Sequence, residues 1–429
     1  MNIIFFIVIL FIYLYYNYKS RYLGVVSLLM LTYLAMSVLS LTITILNLHN
    51  GIYPLKLNST IYLTLNITLI FIVMMKFKEI KIHKFIIDNK YAFNIIDNLL
   101  IISGILSILF FAPHAISALS GDIYLNRVLQ KAQKEILPKY GILNTLFSLI
   151  ANMFILNIIS LFINMSNHFN KRNIFKIYLL YLSSFSYFVY VIAYVGRDGS
   201  IYWIMSFLYV YVFFRPYLKL KEIFTTRVAI LFALPVLFMP FIFITNARFE
   251  KTNIGAFGSI VIYGGGQIHN FNDQFEVEKP FRGGRYNFPV IYRILEYTTI
   301  IDKSNFSRED DFKYYIDKQV QPWTFATFIG SLVKDFGNVG TLLFIIMFCL
   351  IFRVIISNII DNNTIYYSQF ILFTLFYQFI YWGVFYNRMY AMNLYIIIMV
   401  ILFIIFKLYK SKQYSITLLP RLHQHGYRR

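Results

Sequence analysis

The apolar residues of this chain come in runs long enough to cross a bilayer, and no other feature restricts its fold as much. Positions 2–16, 22–46 and 57–75 already supply three such runs, against the roughly 20 residues that a helix needs to span the hydrocarbon layer. Inside a bilayer the backbone must satisfy its own hydrogen bonds, so only helices and closed barrels are admissible. These runs lack the strict alternation of a barrel strand and read as helices. No charge precedes the first run and no small-residue cleavage site follows it, so it reads as a span and not as a removed signal. Further runs lie near 93–118, 141–165, 177–195, 199–214, 228–246, 339–353, 364–386 and 389–406. The expectation is an all-α, polytopic helical membrane protein with about 11 transmembrane helices.

Charge sets the expected orientation. The formal net charge is +20, which in a soluble protein would suggest nucleic acid. Here the basic residues fall in alternate loops: Lys19 and Arg21; Lys76 to Lys90; Lys171, Arg172 and Lys176; Arg215 to Arg227; Arg353; and the tail from Lys407 to Arg429. The intervening short loops carry only isolated Lys56, Arg197 and Arg388. The positive-inside rule places the basic set in the cytoplasm, hence the N-terminus outside and the C-terminus inside, and nucleic acid is not expected as a partner. The expected organisation is a bundle of about eight spans over 1–246, a large outer loop over 247–338, three spans over 339–406 and a basic tail over 407–429. The single cysteine, Cys349, excludes an intramolecular disulfide.

Two outer loops are long enough to carry function. Around 123–137, Leu125, Val128, Leu129, Ala132 and Ile136 recur at helical spacing while Arg127, Lys131 and Lys134 lie off that stripe, as in an interfacial amphipathic helix or a plain surface connector. The loop 247–338 holds eleven of the 19 acidic residues, together with Arg248, Arg282, Arg285 and Arg293 and two glycine clusters. Its aromatic content argues against disorder, and a connection of this length is usually functional.

Four short elements are candidates for chemistry. Gly196-Arg197-Asp198-Gly199 interrupts an apolar stretch of about two span lengths, so it reads as a tight outer turn. Arg197 there either pairs with Asp198 or binds an anion at the depth of lipid phosphates. Arg248 follows span 8, and Arg282-Gly283-Gly284-Arg285-Tyr286-Asn287-Phe288 sets guanidiniums beside glycines, a combination that lets backbone N–H groups and cations approach an anion together. Gln321-Pro322-Trp323-Thr324 and then Lys334-Asp335-Phe336-Gly337-Asn338-Val339-Gly340 lead into the next span, where Asp335 is either a turn residue or a catalytic one. The sequence contains neither a Walker loop nor an H-E-x-x-H motif, and the histidines lack metal-ligand spacing, so no metal site is expected.

Taken together, these elements resemble the repeat-unit polymerases of O-antigen and capsule synthesis (Wzy type). The likeness rests on the Gly196-Arg197 turn, the large outer loop before the last three spans, and Asp335-Phe336-Gly337 with Gly340, and it covers roughly 188–352. It implies a membrane glycosyltransferase fold of the GT-C-like type in a bacterial inner membrane. It also implies that oligosaccharide units linked to undecaprenyl diphosphate are joined at the outer leaflet, with a flippase and a chain-length regulator of the same pathway as partners and no cofactor. Diphosphate is a good leaving group that needs positive charge more than a general acid. Arg197, Arg248, Arg282 and Arg285 are the expected cations, with Tyr286 and Trp323 as sugar-stacking faces. Asp335, His269 and Asp273 are the candidates for a base on the attacking hydroxyl. A ligase-like glycosyltransferase and a lipid-linked-oligosaccharide flippase are the competing readings.

Overall fold

The structure, a computed structural model, describes residues 2–20, 23–48, 55–123, 125–126, 141–166, 173–249, 256–277, 281–301, 308–318, 320, 325–388, 393–409 and 413–417. Most of the amphipathic stretch expected at 123–137 therefore lies outside the described residues. The described chain is overwhelmingly helical, and the protein is an all-α polytopic membrane protein. Among the described residues, seven helical stretches are long and apolar enough to cross a bilayer, and an eighth if the bent pair Gly141–Asn152 and Phe154–Ser166 counts as one span.

The chain forms two compact units. The first contains residues 1–81, 257–362 and 369–403. It is built on α1 (Asn2–Ser20), α2 (Val25–Ile45) and α3 (Leu57–Met74). The segment expected as a long outer loop is itself folded into short helices. These are α11 (Ala256–Gly265), α12 (Gln267–Glu276), α13 (Pro289–Tyr297) and α14 (Arg308–Asp317), followed by α15 (Thr327–Asp361). Buried tyrosines tie the distant parts of this unit. Tyr33 donates to the Ile380 carbonyl and Tyr377 to the Val25 carbonyl, each at 2.9 Å. Such bonds satisfy phenolic hydroxyls that would be costly to bury alone.

The second unit contains residues 82–256, 363–368 and 404–429. Its helices are α4 (Lys90–Leu119), α5 (Gly141–Asn152), α6 (Phe154–Ser166), α7 (Ile174–Ser183), α8 (Ser186–Ala193), α9 (Asp198–Phe214) and α10 (Leu220–Phe249). Three short strands sit among them: β1 (Lys84–Ile87), β2 (Thr364–Tyr366) and β3 (Tyr414–Thr417). β1 is central, parallel to β2 and antiparallel to β3. Phe85 and Ile365 are wholly buried and Ile416 nearly so, so one face of the sheet is packed. Asp88, just after β1, accepts from the Ser368 backbone N–H at 2.9 Å and its hydroxyl at 3.2 Å.

One buried carboxyl in the first unit has no apolar rationale. Glu79 lies in a short turn after α3 and accepts from the Val25 backbone N–H, capping α2. A Cβ on Gly24 would collide with that carboxylate, which explains a glycine at this position. Burial pushes the Glu79 carboxyl up from 4.5 to about 7, against the opposing pull of the Val25 N–H. Because the folded-state pKa is raised, the stabilisation is full below about pH 4.5 and is lost as the pH rises through about 7. The thermal midpoint of the purified protein in detergent is expected to fall over that window. Glu79→Gln, a neutral isostere, is expected to flatten the profile and to exceed the parent above pH 7; parallel profiles for the two proteins would contradict this.

Candidate functional site

The densest convergence of the predicted residues lies in the first unit, where the Arg282–Asn287 loop wraps around Asp335. Asp335 closes the first helical stretch of α15. Two residues later Gly337, at φ 64° and ψ −173°, breaks the helix before it resumes as the span. That left-handed backbone suits glycine and frees the carbonyls of the preceding turn to accept from elsewhere. The Arg282 and Gly283 backbone N–H groups donate to the Asp335 carbonyl at 2.8 and 3.1 Å. The loop reverses there through Gly283 and Gly284, both at positive φ.

The Asp335 carboxylate completes the grip. It is 0% exposed. Its Oδ1 accepts from the Tyr286 backbone N–H at 2.9 Å, and Oδ2 accepts from the Asn287 N–H at 2.7 Å and from Asn287 Nδ2 at 2.6 Å. A buried carboxylate is tolerable only with such donors. Asn287 extends the knot: its Nδ2 donates to the Ser331 carbonyl at 2.8 Å, and its Oδ1 accepts from Asn387 Nδ2 at 2.6 Å. Its carbonyl accepts from Asn393 Nδ2 at 3.2 Å. Three segments of the chain, 282–287, 331–335 and 387–393, are thereby held together.

Each of those segments carries positive charge. The Arg285 guanidinium lies 5.3 Å from the Tyr292 ring centre and 3.6 Å from Glu296. Tyr292 in turn donates to the Gly283 carbonyl. Lys334 is only 5% exposed, with its ammonium 5.6 Å from the Tyr286 ring and 5.2 Å from the Tyr315 ring. Arg388 donates to the Tyr386 hydroxyl at 2.6 Å. Arg282, half-buried, completes the set. Arg285, Lys334 and Arg388 lie near tyrosine rings, and Arg285 also faces the Glu296 carboxylate. The arrangement is suited to an anionic ligand. Among the described residues no group of three or more His, Cys, Asp or Glu side chains could hold a metal ion.

The remaining predicted residues go elsewhere. His269 is 4% exposed on α12, with Nε2 3.0 Å from Asn2 Nδ2 and 3.4 Å from Thr44 Oγ1, so it ties α12 to α1 and α2. A histidine so enclosed is a poor base for an incoming hydroxyl, and the same holds for the Asp335 carboxylate, whose two oxygens hold the loop. Asp273 is half-buried on the same helix, beside Asn272, which accepts from Ser59 Oγ at 2.6 Å. Arg197 and Arg248 belong to the second unit. Arg197 is the residue before α9 and is 8% exposed, and its Nη1 donates to Thr245 Oγ1 at 3.1 Å. The turn it sits in is pinned by Val195, packed with Ala118 and Ile244. Arg248 falls within α10, and its side chain, like Trp323, lies outside the described residues. Sequence reasoning passed over Lys334 and Arg388. Lys334 stands inside the motif that was singled out, and its neighbour's carboxylate drew the attention. No family model matches the chain, and no curated protein or solved structure matches it either.

The knot predicts how variants behave. Asp335→Ala strands three donors, at about 1–3 kcal/mol for each buried group left unsatisfied. It is expected to lower the thermal midpoint and to speed trypsin cleavage after Arg282 and Arg285. Asp335→Asn keeps one acceptor oxygen and should be milder in both assays. Unchanged cleavage in Asp335→Ala would show that the loop is held by something else.

Proposed function

We propose that this protein is a glycosyltransferase of the Wzy type. In this reading it joins oligosaccharide repeat units carried on undecaprenyl diphosphate at the outer leaflet of a bacterial plasma membrane. The reading includes about 11 spans, a GT-C-like fold and an outside N-terminus, as the charge pattern suggests. The observation that carries it is the set of cations on the segments knotted by Asp335: Arg282, Arg285, Lys334 and Arg388.

The chemistry follows from charge. The bond to break joins the reducing-end sugar of the growing chain to diphosphate. As it lengthens, negative charge grows on the phosphate oxygen. Preorganised cations in a partly dry site stabilise that charge most where they need no reorganisation. The knot fixes the backbone of Arg285 and Lys334, and the tyrosine faces limit their side chains. Tyr286, half-buried, offers a ring that a sugar can stack on. The acceptor is a hydroxyl of the incoming lipid-linked unit; as the new glycosidic bond forms and the bond to diphosphate breaks, undecaprenyl diphosphate departs and takes up the hydroxyl proton.

Deleting the gene in its host tests the reaction class. Loss of a polymerase leaves single-repeat glycan on its acceptor, whereas loss of a ligase or flippase leaves none. Absence of the single-repeat species would therefore sink the proposal. Complementation tests the site. Arg285→Ala and Lys334→Met, which keeps volume and removes charge, should each cut polymer formation about 10²–10³-fold at unchanged protein level. Lys334→Arg should retain part of it. Wild-type ladders from both would remove the diphosphate-clamp idea.

A further inference from the structure

The second unit contains a line of buried polar atoms that its own side chains do not satisfy. Asp97 on α4 is 0% exposed, and its Oδ2 takes both a bond from Asn164 Nδ2 on α6 at 2.7 Å and the Lys176 ammonium of α7 at 2.8 Å. Its other oxygen, Oδ1, has no hydrogen-bond partner among the described residues. Seven residues along α4, about 10 Å at 1.5 Å per residue, Gly104 lets α6 come close: a Cβ there would sit 2.9 Å from Asn157 Nδ2. Asn157 Oδ1 and Ser160 Oγ are buried and likewise unpartnered among the described residues, as is Asn152 Oδ1 at the α5–α6 break.

The positions are regular. Asn157, Ser160 and Asn164 are spaced three and four apart, which puts them on one face of α6, and Asp97 and Gly104 share the matching face of α4. Three of the four unpartnered atoms are pure acceptors. In a helical bundle set in lipid, each would carry a desolvation penalty with nothing in return. A single bound cation does not fit, because Asp97 and Asn157 stand on successive helical levels about 10 Å apart. Water fits, since it donates two bonds, bridges groups too far apart to meet, and settles where two to four polar partners converge.

We infer that α4, α6 and α7 enclose a column of internal water running from the Asp97–Lys176 pair along α6 toward Asn152. This seam is a binding site for water and for small polar solutes that follow it, inside a unit whose outer surfaces are apolar. It does not depend on the proposed glycosyl transfer. It gives the Asp97–Lys176 pair a route for proton exchange that packed hydrocarbon would deny it.

Thiol labelling tests this. With the sole cysteine replaced, Cys349→Ala, single cysteines are introduced as Ser160→Cys, as Asn157→Cys and, on the lipid-facing side of α4, as Leu109→Cys, a position 64% exposed at the apolar surface. The full-length proteins in lipid vesicles are treated with the charged reagent 2-aminoethyl methanethiosulfonate. A thiol reacts as its thiolate, which apolar surroundings suppress, so Ser160→Cys should be modified at least about tenfold faster than Leu109→Cys. Asn157→Cys should follow Ser160→Cys, and it gives the same reading should one of the two variants fail to elute as a single species on gel filtration. Modification of either seam position no faster than Leu109→Cys overturns the inference.

Discussion

A carboxylate with no access to solvent organises the first unit. Asp335 is held by hydrogen bonds from two backbone N–H groups and an amide. Its own carbonyl takes two more N–H groups because Gly337 stops the helix there. In water such bonds would contribute little, but out of water their absence is expensive, and that asymmetry gives the interaction its grip. The conformation of 282–287 is therefore not an independent property of a loop. It is the complement of a helix end.

This changes what the acid–cation motif means. A carboxylate near arginines invites a catalytic reading, and so does a histidine in the same region. The geometry separates the roles by engagement. Asp335 and His269 are committed to chain segments, whereas Arg285 and Lys334 lie against aromatic rings. Arg285 is shared between the Tyr292 ring and the Glu296 carboxylate, 3.6 Å away, a looser contact than a tight bidentate pair. The site is better described as a rigid cationic surface than as an acid–base pair, the kind of surface that the proposed glycosyl transfer from diphosphate would need.

The long apolar helices were legible because bilayer length and composition leave little choice, and α1 to α4 follow the runs closely. The tight turn near Gly196 was legible for the same reason, since a doubled apolar run must reverse somewhere. The short helices α11 to α14 were not, because glycines, prolines and charges break the periodicity before a full helical pattern accumulates. Nor was the Asp335 knot, which joins residues 48 and 49 positions apart through backbone N–H groups that every sequence has. Glu79 was hidden among lysines: Lys76, Lys78, Lys81 and Lys84 made its loop look like a solvated basic patch, although the carboxyl is buried.

The small sheet bears on how the chain is made. Its central strand comes from residues 84–87, one flank from 364–366 and the other from 414–417. Helices form from neighbours and are complete as soon as they are inserted, but these strands pair residues 280 to 333 positions apart. Non-local pairing of this kind is slow and comes late. During synthesis, β1 leaves the ribosome long before either partner exists, and its edges must wait for them. The second unit therefore closes in order of translation: its helices first, then the parallel strand, and last the antiparallel strand, whose arrival completes the sheet.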